Sequence, residues 1–154
     1  MTTIEAVSKR QRERQVGQVT ASLTLSNHID EINAMQGRLP STNVRKLTLD
    51  KVLVDTGATH ISLPADVIEA LGLPLLLEAV AETAAGPIPV RVFSDLQLTV
   101  LGRQGSYRCV ELPLGRRPLL GVIPMDDLGL EPDLQAETLR ALPQDTPGSY
   151  IMLY

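Results

Sequence analysis

At 154 residues, 44% of them apolar, the chain has room for one buried core but not for two lobes of that size, and its single cysteine, Cys109, excludes an internal disulfide. Aromatic residues make up only 3%, so the core has to be built from Leu, Val, Ile and Ala, with Phe93 as its one phenylalanine. The net charge of -4 becomes -6 once residues 1–15, which carry Lys9, Arg10, Arg12 and Arg14 against Glu5 and Glu13, are set aside; the body therefore offers no nucleic-acid footprint.

Two histidines and one cysteine, widely spaced, match no zinc pattern, so neither metal nor cofactor is expected. The start of the chain has charges where a signal peptide needs an apolar run, and the apolar stretch 71–80 is broken by Pro74 and Glu78. The expectation is a soluble, cytoplasmic protein with no membrane partner: a basic arm over residues 1–15 and one folded domain over 16–154.

In chain order, residues 19–25 alternate apolar with small polar residues, the period of a half-buried strand. Residues 26–43 lose that pattern and contain Gly37 and Pro40, so they read as a connection or insertion with room for a short helical turn. Strand runs 47–49 and 52–54 flank Asp50-Lys51, and the second feeds directly into Asp55-Thr56-Gly57-Ala58-Thr59. Residues 64–71 predict a short helix stopped by Gly72. Residues 78–93 predict a hairpin with its tip at Ala84-Ala85-Gly86, where Pro87 and Pro89 suit a free sheet edge. A second hairpin sets Leu96, Leu98 and Val100 against Tyr107, Cys109 and Glu111 across a turn at 102–105. Leu119-Leu120-Gly121, a short helix around 125–128 and an apolar run, Tyr150 to Tyr154, complete a mostly β chain without an internal repeat.

The chemistry concentrates where the 52–54 strand delivers an acid into a tight, glycine-containing turn. A carboxylate at the end of a buried strand is costly unless its charge is shared or solvated. A second carboxyl answers that cost, because two carboxyls about 3 Å apart cannot both ionise and so share a proton.

The run from Val52 to Thr59, answered about sixty residues later by Leu119-Leu120-Gly121 with a Gly-tipped hairpin between, resembles the signature of the retropepsin-like aspartic proteases. The resemblance covers residues 47–133. It implies a closed β-barrel or sandwich with one or two short helices, active as a two-fold homodimer. Asp55, Thr56 and Gly57 would be the catalytic residues; only one such loop is present, so the second Asp55 has to come from a second copy of the chain. Ala58 and Thr59, with the flap-like tip Ala84, Ala85 and Gly86, would line the substrate cleft, and Leu119, Leu120 and Gly121 would support the loop from beneath. The implied reaction is hydrolysis of an extended peptide or protein by general acid-base activation of water. Many viral members have Asp where Thr59 stands and Arg where Val122 stands. Both halves of that ion pair are absent here, which sets the chain nearer the cellular and bacterial members.

The plain alternative for Asp55 is a turn aspartate bonded to nearby amides. His60 reads as a surface or specificity residue, His28 as part of a polar connection, Cys109 as a small buried hydrophobe, and Asp126-Asp127 as solvated acids on the last short helix. Two other functions compete. One is a catalytically silent dimer of the same fold that holds an extended peptide. The other is the first phosphate loop of actin-like ATPases and sugar kinases, which the length of the chain leaves no room to complete. The run 150–154 is a candidate for an intersubunit sheet or for folding back onto its own domain.

Overall fold

The structure, a computed structural model, describes residues 18–143; the expected arm 1–15 and the apolar run 150–154 lie outside the described residues. The alternation in the first strand, β1 (Thr20–Asn27), turns Leu23 and Leu25 fully inward. It is followed by α1 (His28–Met35), an eight-residue helix where the sequence suggested a connection or insertion with a short helical turn. Asn27 starts this helix by accepting a hydrogen bond from the Asp30 amide at 3.0 Å, and Asp30 and Glu31 lie in its first turn, where acids suit the helix N-terminus. A 3-10 turn at Ser41–Asn43 leads into β2 (Lys46–Val54).

The two predicted runs 47–49 and 52–54 form one strand with a bulge between them. Ala21 to Leu23 of β1 faces Val52 to Leu49 of β2, so β2 holds one extra residue there, and Lys51 takes a φ of 57° to absorb it. Without that residue, Leu47 and Leu49 would fall out of phase with Val52 and Val54.

Then come β3 (Ile61–Pro64) and α2 (Ala65–Leu71), which ends as predicted at Gly72, in the left-handed conformation with φ 62°. β4 (Leu75–Thr83), the 15-residue β5 (Gly86–Val100) and β6 (Arg103–Leu112) form the two predicted hairpins around one shared central strand. The chain closes with β7 (Leu119–Leu120), α3 (Val122–Leu128), β8 (Leu130–Asp133) and β9 (Thr138–Ala141).

Seven strands run in the order β1-β2-β7-β3-β6-β5-β4, and β1 also pairs with β5, from Thr24 opposite Thr99 to Asn27 opposite Leu96. Six strands thus close a ring and β4 hangs outside it, on the first half of β5. The ring is filled by Leu23, Leu25, Ile61, Leu63, Leu96, Leu98 and Leu120, all without solvent exposure, and Cys109 belongs to the same core. Burial pushes the Cys109 thiol up to about 12, so it is an inert apolar filler at neutral pH.

Polar groups tie the periphery to this barrel. Buried Asp30 accepts from the Arg45 amide at 3.1 Å, from Nε at 2.8 Å and from Nη2 at 3.0 Å, and that guanidinium occupies the place where a Cβ on Gly72 would stand. Buried Arg103 donates to the carbonyls of Leu128 at 2.8 Å and Gly129 at 2.9 Å, and also to Leu142, so one side chain closes the C-terminal end of α3 and pins the β8–β9 hairpin. No helix among the described residues is long and apolar enough to cross a membrane.

Candidate active site

Strand β2 ends at Val54, and its last two residues pair with the short β7, parallel to it, with Leu53 beside Leu119 and Val54 beside Leu120. β7 also meets β3 at Ser62 opposite Leu119, so the loop 55–60 begins on one neighbour of β7 and returns on the other. The loop is held by backbone bonds at both ends. The Asp55 amide donates to the Leu120 carbonyl at 3.0 Å, the Ala58 amide to the Asp55 carbonyl at 3.2 Å, and the Val122 and Ile123 amides to the Ala58 and Thr59 carbonyls at 2.8 and 2.9 Å.

The last two bonds do a second job. α3 starts at Val122, behind an N-cap Gly121 that offers no side chain, and the first amides of a helix need acceptors. Two carbonyls of the acid loop supply them. These main-chain bonds pair Ala58 with Val122 and Thr59 with Ile123, so backbone rather than side chains ties the loop to α3.

Gly121 is the packing keystone beneath the loop. A Cβ there would collide with the His60 carbonyl oxygen and stand 2.7 Å from that of Ala58 and 2.8 Å from the His60 amide nitrogen, so only glycine lets the two backbones approach. Leu120 below it has no solvent exposure. The three residues 119–121 and the loop 55–59 are therefore brought together as one unit.

Within the loop, Asp55 is half-buried, and Oδ1 accepts from the Gly57 amide at 2.8 Å. A Cβ on Gly57 would lie 3.2 Å from that oxygen. Among the described residues no hydrogen bond reaches Asp55 Oδ2 or the Thr56 hydroxyl, and Thr56 and Gly57 form an exposed apex. Thr59 Oγ1 lies 2.8 Å from His60 Nδ1, a contact between neighbours on the rim of the loop.

The other predicted site residues sit at the tip of the β4–β5 hairpin. Thr83 Oγ1 donates to the Gly86 carbonyl at 2.6 Å and accepts from the Ala85 amide at 3.2 Å, and Gly86 has φ 108°. Ala84 and Ala85 are exposed, and no hydrogen bond among the described residues joins the tip to the Asp55 loop. A depression of about 380 Å3 lies at the root of this hairpin, between Glu78, Pro89 and Arg91 on one side and Glu111, Leu112 and Pro113 on the other. It contains no residue of the loop.

Of the remaining polar candidates, Asp127 accepts from the Tyr107 hydroxyl, and burial together with that acid raises the pKa of the tyrosine. Asp126 and Asp127 are both exposed within α3, and no group of His, Cys, Asp or Glu among the described residues could hold a metal ion. The sequence missed that His60 contributes its backbone to the site, the only available signal being the glycine at 121 that packs against it.

A family model described as aspartyl protease matches residues 41–123, just over half of the chain. The match runs from the approach to β2 through the acid loop, the free hairpin and β7 to the first turn of α3. No curated protein matches the chain.

Proposed function

Because the chain belongs to the aspartyl protease family, we propose that it is an endopeptidase whose active site is completed only when two copies meet across a two-fold axis. The observation that carries this reading is the state of the acid loop. Main-chain bonds and Gly121 hold its base, while Asp55 Oδ2 and the Thr56 hydroxyl stand at an open apex with no hydrogen-bond partner among the described residues. A second copy of the same loop supplies both needs at once: a carboxyl to share a proton with Asp55, and backbone for Thr56 to bond.

In the completed site the ionised carboxyl takes a proton from a water held between the pair, and the water oxygen attacks the carbonyl carbon of the scissile bond. The neutral carboxyl gives its proton to the carbonyl oxygen. The newly protonated carboxyl then gives its proton to the leaving nitrogen while the other takes one from a hydroxyl of the tetrahedral intermediate as the C–N bond breaks, which returns the pair to one shared proton without a covalent enzyme intermediate. Thr56 and Gly57 hold the carboxyls, Ala58 and Thr59 line the floor, and the hairpin tip Ala84 to Gly86 covers an extended peptide that pairs with its backbone.

The test is cleavage of an unstructured protein such as casein, from mildly acidic to neutral pH, over a range of enzyme concentrations, with Asp55→Asn and a statine-type inhibitor as controls. Activity that rises faster than linearly with concentration and vanishes in both controls is the expected result. A folded dimer that cleaves nothing points instead to the silent peptide-binding module, and a chain that is monomeric at every concentration contradicts the shared site.

A further inference from the structure

The free hairpin leaves the barrel at one rung. Val92 opposite Val110 is the last pairing of β5 with β6, and beyond it residues 79–90 pair only within the hairpin itself. One step past that rung, Arg91 and Glu111 face each other. Arg91 Nε donates to Oε1 at 3.0 Å and Nη2 to Oε2 at 2.6 Å, a two-pronged geometry that fixes orientation as well as distance. The guanidinium carbon also lies 5.4 Å from the centroid of the Phe93 ring, which is buried, and Glu78 sits opposite Arg91 across the β4–β5 pair.

Just below this rung both strands of the hairpin are irregular. β4 carries an extra residue at Leu76, and β5 carries one at Ser94-Asp95, where Asp95 takes a φ of 61°. Bulges interrupt the ladder and let strands bend. The hairpin is thus attached through a bendable root and one oriented ion pair.

We propose that Arg91 and Glu111 are positioning residues for peptide hydrolysis: a latch that sets the angle at which the hairpin stands over the Asp55 loop. This rests on the reading of the hairpin as the cover of the cleft. Arg91 is half exposed, so solvent screens the pair and its contribution to overall stability is small. Among the described residues no other hydrogen bond or ion pair ties residues 79–90 to the barrel, so the same small energy acts chiefly on their opening. Its loss shows in substrate affinity rather than in the chemical step.

The experiment is a double-mutant cycle on the full chain, with Arg91→Met, Glu111→Gln and the two combined, read by backbone hydrogen exchange and by cleavage kinetics. Methionine keeps an apolar stem over Phe93 and removes the fork. Exchange over residues 79–90 is expected to quicken about threefold in each single variant, with residues 96–100 of the barrel unchanged. KM is expected to rise by about the same factor with kcat held within about twofold, and the double variant is expected to match the singles. Unchanged exchange over 79–90, equal quickening in 96–100, or effects that add in the double variant would each overturn the latch. Exchange is measured without substrate, so a chain that cleaves no peptide defeats the proposed function while the cycle still decides on the latch.

Discussion

The acid loop 55–60 and the hairpin tip 83–86 are both short turns containing a glycine, yet the molecule holds them in opposite ways. The loop is bonded to β7 and to the first turn of α3, and Gly121 lies in backbone contact beneath it. The tip is closed by its own Thr83 hydroxyl, and its glycine has nothing within 4 Å of where a Cβ would stand. One turn is tied to the core and the other only to itself, a difference that suits the proposed roles of a catalytic floor that must not shift and a cover that must open.

The largest way to break this comparison is at the acid. Asp55→Asn keeps the Gly57 amide contact and the packing, so the variant is expected to fold and dimerise while losing about a thousandfold or more in kcat. A folded variant with more than about a tenth of wild-type activity would remove Asp55 from the chemistry.

Next is one substitution made in both regions. Gly121→Ala forces a Cβ into the backbone of His60 and Ala58 and is expected to cost about 3 kcal/mol or more of stability, seen as a shifted denaturant midpoint. Gly86→Ala meets no atom and strains only a positive-φ turn at φ 108°, so it is expected to cost less, about 1–2 kcal/mol, and to act on KM. Equal losses from the two would erase the distinction between floor and cover.

A subtler effect concerns the root of β4. Hydrogen bonds from Arg45 hold the Asp30 carboxyl below the usual carboxylate range, and Arg45 packs on Gly72, three residues ahead of β4. A folded-state pKa below the unfolded one gives stability that is present above the unfolded value of about 3.9 and is lost as pH falls through the folded value. The stability difference between wild type and Asp30→Asn is therefore expected to be constant near neutrality and to shrink as pH falls through 4 and below. A difference that persists unchanged in acid would mean that the carboxylate charge is not what holds this corner.

The floor of the site was legible in the sequence because it is local. Apolar residues 52–54, the acid turn and the 119–121 segment each declare themselves over a few residues, and α2 announces its own end at Gly72. What stayed hidden is non-local. α1 shows solvent an apolar set, Ile29, Ile32 and Met35 at 44%, 39% and 85% exposure, so no buried stripe marks it as a helix. It is held by the Asn27 cap, which the window 26–43 does contain, and by the Asp30–Arg45 bonds, whose arginine lies outside it. The β8–β9 hairpin is built of four-residue strands, one carrying Pro132, and is held by Arg103 from another sheet. The latch pair spans 20 positions and becomes visible only when β5 and β6 lie side by side.

The central claim, one site shared by two chains, is tested most directly by mixing. Wild type and Asp55→Asn are refolded together in equal amounts at fixed total concentration, and peptide cleavage is compared with that of wild type alone. If each site needs an acid from both copies, only pairs of wild-type chains are active, and the rate falls to about a quarter. A fall to about half would show that each chain works by itself and would contradict the account.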